Sequence, residues 1–123
     1  MIHLSLQGQP PRKSNSRRIV VNRRTGKPML VKSDEALRWM DDAMLQIPAH
    51  ACQGLGSADR PLSVTCRVRY KSKRPDLSIE LILDTLQKAG VISDDRHVYE
   101  FHAFKEFDVD NPGVEILVEE QTI

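Results

Sequence analysis

The sequence predicts a single α+β domain, a mixed β-sheet with two main helices. Three observations carry that expectation. Leu62, Val64, Cys66, Val68 and Tyr70 alternate strictly with Ser63, Thr65, Arg67, Arg69 and Lys71, the period of a strand with one buried face. Leu37, Met40, Met44 and Ile47 recur at helical spacing, and so do Ile79, Ile82, Leu83 and Leu86. Strand and helix segments interleave along 123 residues, one domain's worth of chain and enough for one core.

Taken in order, Ile2, Leu4 and Leu6 alternate with polar neighbours and predict an opening strand, stopped by Gly8-Gln9-Pro10-Pro11. Arg12 to Arg18 reads as a basic loop. Ile19 to Val21 and Met29 to Val31 pair as a hairpin whose connection contains Gly26, a residue suited to positive φ. Ser33 followed by Asp34 and Glu35 is a helix start, a capping hydroxyl and then acids at the positive end of the dipole, and Pro48 ends that helix. Trp39 falls off the apolar stripe and is expected at the rim of the core, with a dimer contact or a base-stacking surface as the other readings. Ala49 to Pro61 is a loop. The alternating strand that follows turns Arg67, Arg69 and Lys71 to one side, buries Cys66 as packing and closes at Pro75. Asp76 to Ala89 is the second helix, stopped by Gly90. A turn over Val91 to Arg96, a strand over Val98 to Phe104, a turn over Asp108 to Gly113 and a strand carrying Val114, Ile116 and Val118 complete the chain. There is no internal repeat and no low-complexity segment.

The net charge of +1 conceals a polarity. Residues 1–33 hold eight cationic residues and no acid, and residues 61–75 again hold only cations. From Asp76 onward twelve acids face three cations. Acid-free basic segments are the footprint of a phosphate-binding surface, or else solvated loops and strand faces. No apolar run is long enough for a membrane helix and no secretory leader is evident, so a soluble cytoplasmic protein is expected. The two cysteines, Cys52 and Cys66, have no metal or redox spacing and are expected as free thiols in a reducing cytosol, with a single disulfide as the alternative. Neither a phosphate-binding glycine loop ending in Gly-Lys-Ser/Thr nor a nucleophile elbow occurs, and no nucleotide cofactor is expected.

Asp76, Glu80 and Asp84 stand at i, i+4 and i+8, a stripe of like charges that repel in a bare helix. A divalent cation reverses the sign of that interaction, because hard cations take carboxylate oxygens. With Asp94-Asp95 on the following turn, and Lys71, Lys73 and Arg74 just before, the pattern suits a metal-dependent phosphodiesterase. The same residues also read as a helix N-cap (Asp76), a solvated helix face (Glu80, Asp84) and an acidic turn (Asp94-Asp95).

Lys73-Arg74-Pro75-Asp76-Leu77-Ser78, then Leu83-Asp84-Thr85-Leu86-Gln87-Lys88-Ala89-Gly90, then Asp94-Asp95-Arg96-His97-Val98 resembles the RusA family of Holliday-junction resolvases. Gly8-Gln9-Pro10-Pro11 with Asn15 is similar to that family's N-terminal Pro-Pro-x-x-Asn region. The resemblance implies a homodimeric α+β domain spanning residues 1–123. It also implies nicking of four-way DNA junctions, in recombination and repair, with Mg²⁺ or Mn²⁺. Asp76 matches the first motif aspartate, Asp95 the aspartate after the second helix, and Asp84 and Asp94 fall on acidic positions. The chain departs from the pattern at Ser78, where the family reads aspartate, and lacks the motif lysine a turn later. Glu80 is then the substitute carboxylate, and Lys73 or Lys88 the substitute cation. On this reading Asp76, Asp84 and Asp95 hold the metal, with Asp94 and Glu80 beside them. Arg12, Lys13, Arg17, Arg18, Arg67, Arg69, Lys71, Lys73 and Arg74 hold the phosphates of the junction. The alternatives are a protein of the same fold that binds junctions or duplex DNA without cutting, and a small sheet-based interaction module.

Overall fold

The computed structural model describes residues 1–12, 15–73, 76–77 and 79–121. Lys13, Arg74, Pro75 and Ser78, each given a role by the sequence, lie outside the described residues.

The chain runs β1 (Ile2–Gln7), β2 (Arg17–Val21), β3 (Pro28–Lys32), α1 (Asp34–Gln46), β4 (Leu62–Tyr70), α2 (Glu80–Ala89), β5 (Val98–Phe107) and β6 (Gly113–Glu120). Short 3-10 turns occupy Ala49–Ala51 and Asp95–His97. β1, β6, β4 and β5 form one sheet in that order. β5 runs parallel to β4, and the other two pairings are antiparallel, so the sheet is mixed as expected. Period-two alternation sends Ile2, Leu4, Leu6, Leu62, Val64, Cys66, Val68, Val114, Ile116 and Val118 to one face, where they are buried in a single cluster with residues of both helices. The other face of the sheet carries no helix residue from that cluster and presents His3, Ser5, Arg67, Arg69 and Glu115.

β2 and β3 form a hairpin as predicted, but a separate two-stranded ribbon rather than part of the main sheet. Its packing is chiefly between its own strands. Hydrogen bonds at its base hold it: Ser33 N–H donates to the Ser16 carbonyl at 2.9 Å, and Ser33 Oγ donates to the Asn15 carbonyl at 2.6 Å.

Ser33 also caps α1, its Oγ accepting the Ala36 N–H at 3.1 Å. Ser33→Ala removes the cap and the tether to Asn15 together. The expected cost is about 1 kcal/mol of stability, read as a lowered urea midpoint. The buried face of α1 is Ala36, Trp39, Met40 and Ala43, with Ile47 buried at its C-cap; Met40 and Ile47 of the predicted stripe are therefore in the core, while Met44 is half-buried and Leu37 exposed. Trp39 therefore belongs to the core and not to its rim. Its indole N–H donates to the Gly8 carbonyl at 3.1 Å, which satisfies the one polar atom that burial would orphan.

α2 starts four residues later than predicted. Leu77, ahead of the helix, packs against the core. Asp76 lies outside α2, and the three-carboxylate helical stripe reduces to Glu80 and Asp84. Leu81, Ile82, Thr85 and Leu86 are the buried face, and Thr85 Oγ donates to the Leu81 carbonyl at 2.6 Å. Gly90 ends the helix as expected, with φ 85°, its N–H and that of Val91 returning to the last carbonyls.

Candidate functional site

Glu80 and Asp84 stand one turn apart on α2, and the ribbon explains how that repulsion is relieved. Arg17 of β2 and Lys32 of β3 are cross-strand partners, and therefore neighbours on one face of the ribbon. Arg17 Nη2 lies 3.3 Å from Glu80 Oε2, and Lys32 Nζ lies 3.3 Å from Asp84 Oδ2. A cation pair across two strands meets a carboxylate pair along one helix, at matching spacings. Arg18 adds a looser contact to Asp34 at 3.7 Å. Each such exposed pair contributes at most about 1 kcal/mol.

Beyond Lys32 opens a cleft of about 480 Å³ lined by Lys32, Met40, Asp84, Gln87, Lys88 and Asp95. Asp84, Gln87 and Lys88 reach it from one face of α2, at i, i+3 and i+4. Asp95 comes from the 3-10 turn that follows, and its backbone N–H donates to Gln87 Oε1 at 3.1 Å, which ties the turn to the helix. Asp94 does different work. Its carboxylate caps the turn by accepting the Arg96 N–H at 3.0 Å, and that bond holds its pKa below the ordinary aspartate range. Two of the expected carboxylates, Asp84 and Asp95, thus share one cleft with two lysines. Glu80 is turned to Arg17, Asp94 to Arg96, and Asp76 is not among the residues lining the cleft. Among the described residues no three His, Cys, Asp or Glu side chains form a metal-holding group.

Of the two lysines offered as the catalytic cation, Lys88 lines the cleft. Lys73 lines a separate depression of about 280 Å³ with Tyr70, Ser72, Lys105, Glu106 and Phe107. Lys32 and Gln87 carry no role in the sequence reading. Lys32 becomes visible only once the hairpin register places it beside Arg17, and Gln87 only once the 3-10 turn brings the Asp95 N–H onto its side-chain oxygen.

The basic row on β4 faces the other way. Val64, Cys66 and Val68 point to the helices, so Arg67 and Arg69 point to the open side of the sheet, away from the cleft. They are also engaged there. Arg67 Nη1 donates to Glu106 Oε1 at 3.0 Å, and its guanidinium lies 4.6 Å from the centre of the Phe104 ring. Arg69, whose side chain is only 17% exposed, donates to Glu115 Oε1 at 3.1 Å and to the Asn111 carbonyl at 2.8 Å. Partial burial raises the Glu115 pKa, but the Ser5 hydroxyl, Arg69 and His3 outweigh it, and the net shift is downward. Arg67 and Arg69, expected to hold phosphates, are here ion-paired to Glu106 of β5 and Glu115 of β6. Lys71 is exposed, its backbone N–H donating to Gln9 Oε1 at 2.7 Å, and Arg12 is exposed at the foot of the ribbon.

Both cysteines are free thiols, Cys52 exposed and Cys66 buried, and burial pushes the Cys66 thiol to about 12. A thiol so shifted is packing and not a nucleophile. Among the described residues no helix is long and apolar enough to cross a membrane. The chain matches no model of a known protein family, and no curated protein sequence matches it.

Proposed function

We propose that the protein is a metal-dependent endodeoxyribonuclease of RusA-like fold that acts on four-way junctions as a homodimer. The observation that carries the reading is the convergence of Asp84 and Asp95 on one open cleft flanked by Lys32 and Lys88. Mg²⁺ commonly takes one or two carboxylates, keeps several waters and completes its shell with substrate phosphate, so two aspartates in a roomy cleft fit it and Mn²⁺ alike. Bound there, the ion would supply an activated water and charge neutralisation at phosphorus. The chain's own part is to position and to bind. Gln87 fixes the turn bearing Asp95, while Lys88 and Lys32 offer charge to the phosphates on either side. Arg12 adds an exposed cation ahead of the ribbon, and Arg17 and Arg18 would reach phosphate by exchanging Glu80 and Asp34 for it. Paired nicks need two sites, which a two-fold dimer provides, and the free thiols suit a reducing cytoplasm.

A protein that binds DNA without cutting is the second reading, and the Arg17–Glu80 and Lys32–Asp84 pairs favour it, since cations of the chain already satisfy those carboxylates. Incubation with a synthetic four-way junction, with and without Mg²⁺ or Mn²⁺, separates the two. Paired nicks that require the metal support the nuclease. Tight, salt-sensitive binding without nicks under every metal condition gives the second reading. Absence of any junction binding overturns both.

A further inference from the structure

The β2–β3 ribbon presents a face that the cleft does not account for. Its rungs run outward from the cleft as Arg17 with Lys32, then Ile19 with Leu30, then Val21 with Pro28. Ile19 is 72% exposed, Leu30 60% and Val21 66%. At the tip Arg23, Arg24 and Lys27 follow, on a loop closed by Asn22 N–H to the Lys27 carbonyl at 2.9 Å and Gly26 N–H to the Asn22 carbonyl at 2.7 Å. Gly26 has φ 70°, which fits glycine to the loop. The face is an aliphatic strip that runs from Arg17 and Lys32, which are paired with Glu80 and Asp84, to the cationic tip.

Charge selects the occupant. Every charged side chain from residue 17 to residue 32 is cationic, so a second ribbon laid on this face would bring like charges together. A polyanion fits instead. An intact duplex offers phosphates to the cationic tip, but its base faces are stacked out of reach of Ile19 and Leu30. DNA with an opened base step offers both, and aliphatic side chains are the kind that lodge in such steps.

We infer that the ribbon is a DNA-gripping arm whose Ile19–Leu30 pair lodges against unstacked bases at a branch, while Arg23, Arg24 and Lys27 hold the adjoining phosphates. The inference rests on the DNA-binding reading above and adds to it the part that tells branched DNA from plain duplex.

The test is fluorescence anisotropy of the full chain without divalent metal, on a four-way junction and on a linear duplex of the same arm sequence. A 2-aminopurine at the branch reports unstacking. Ile19→Ser with Leu30→Ser is expected to weaken junction binding about tenfold, to leave duplex affinity and the salt slope unchanged, and to remove the 2-aminopurine rise. Ile19→Met with Leu30→Met keeps an apolar strip and is expected to match the parent. Arg23→Ser with Arg24→Ser is expected to weaken both DNAs and flatten the log–log salt slope by about 0.9 per lost duplex contact. Equal loss on both DNAs, or no loss, in the serine pair overturns the arm while the cleft's activity on junctions stands. A dimer that becomes monomeric in sedimentation through the serine pair also overturns it, making the ribbon a contact between copies. A parent that binds no DNA at all sinks the arm together with the proposed function.

Discussion

Asp95→Asn is expected to abolish metal-dependent junction cleavage, by at least about a hundredfold, with junction affinity unchanged or raised. The substitution is nearly isosteric, and the Asp95 backbone N–H keeps its bond to Gln87, so the turn stays in place. What changes is charge: one of the two carboxylates lining the cleft becomes neutral, and repulsion of the approaching phosphate falls. Asp94→Asn provides the contrast. Asp94 serves the turn as an N-cap to Arg96, a role asparagine fills equally well, so its variant is expected to retain most of the activity. Its lowered pKa means the charged cap persists above the ordinary aspartate range and is lost only as pH falls through the lowered value. Single-turnover nicking of a labelled junction, beside anisotropy on the same junction, gives both readouts. Full activity in Asp95→Asn would remove the cleft from the chemistry. Equal losses in the two variants would point to damage of the turn.

Gly113→Ala is expected to have the largest effect on stability, about 3 kcal/mol. Gly113 opens β6 and is paired with Gln7 on one side and Arg69 on the other. A Cβ there would stand 2.3 Å from the Leu6 carbonyl oxygen and 3.1 Å from the Arg69 guanidinium. Arginine can give way, but a backbone carbonyl within the β1–β6 ladder cannot without opening it. Urea unfolding followed by circular dichroism measures the loss, and a midpoint within error of the parent would mean that β1 and β6 separate at that end without cost.

Much of the fold was legible because period two is a short-range signal. Ile2 to Leu6, Leu62 to Tyr70 and Val114 to Val118 declare one buried face whatever surrounds them, and Ser33 and Gly90 declare helix ends by local chemistry. Trp39 was misread because the buried face of α1 follows small residues, Ala36 and Ala43, that admit the sheet closely and carry little weight in an apolar count. The start of α2 was misread: the helix begins at Glu80, and Leu77 ahead of it packs against the core, a tertiary contact with no local mark. The site was half legible. Asp84, Asp95 and Lys88 were named, and strand parity already set Arg67 and Arg69 opposite the apolar face of β4. What parity could not show is that the acidic cleft lies with the helices, on the side those arginines face away from. Nor could composition show that Arg17 and Lys32 would meet Glu80 and Asp84, since that depends on the register of the hairpin.

The pairing of β1 with β6 also has a bearing on how the chain folds. Ser5 Oγ bonds Glu115 Oε1 across 110 residues of sequence, and among the described residues β6 is the only strand beside β1 in the sheet. A polypeptide emerging from the ribosome exposes Ile2, Leu4 and Leu6 long before their partner strand β6 is made. The ribbon and α1 rest on neighbouring contacts and are free to form early, but the sheet closes only after a long loop entropy has been overcome. Until then β1 is an unpaired apolar edge, and the interval of greatest exposure to misassembly is set by the time taken to synthesise everything between it and Val118.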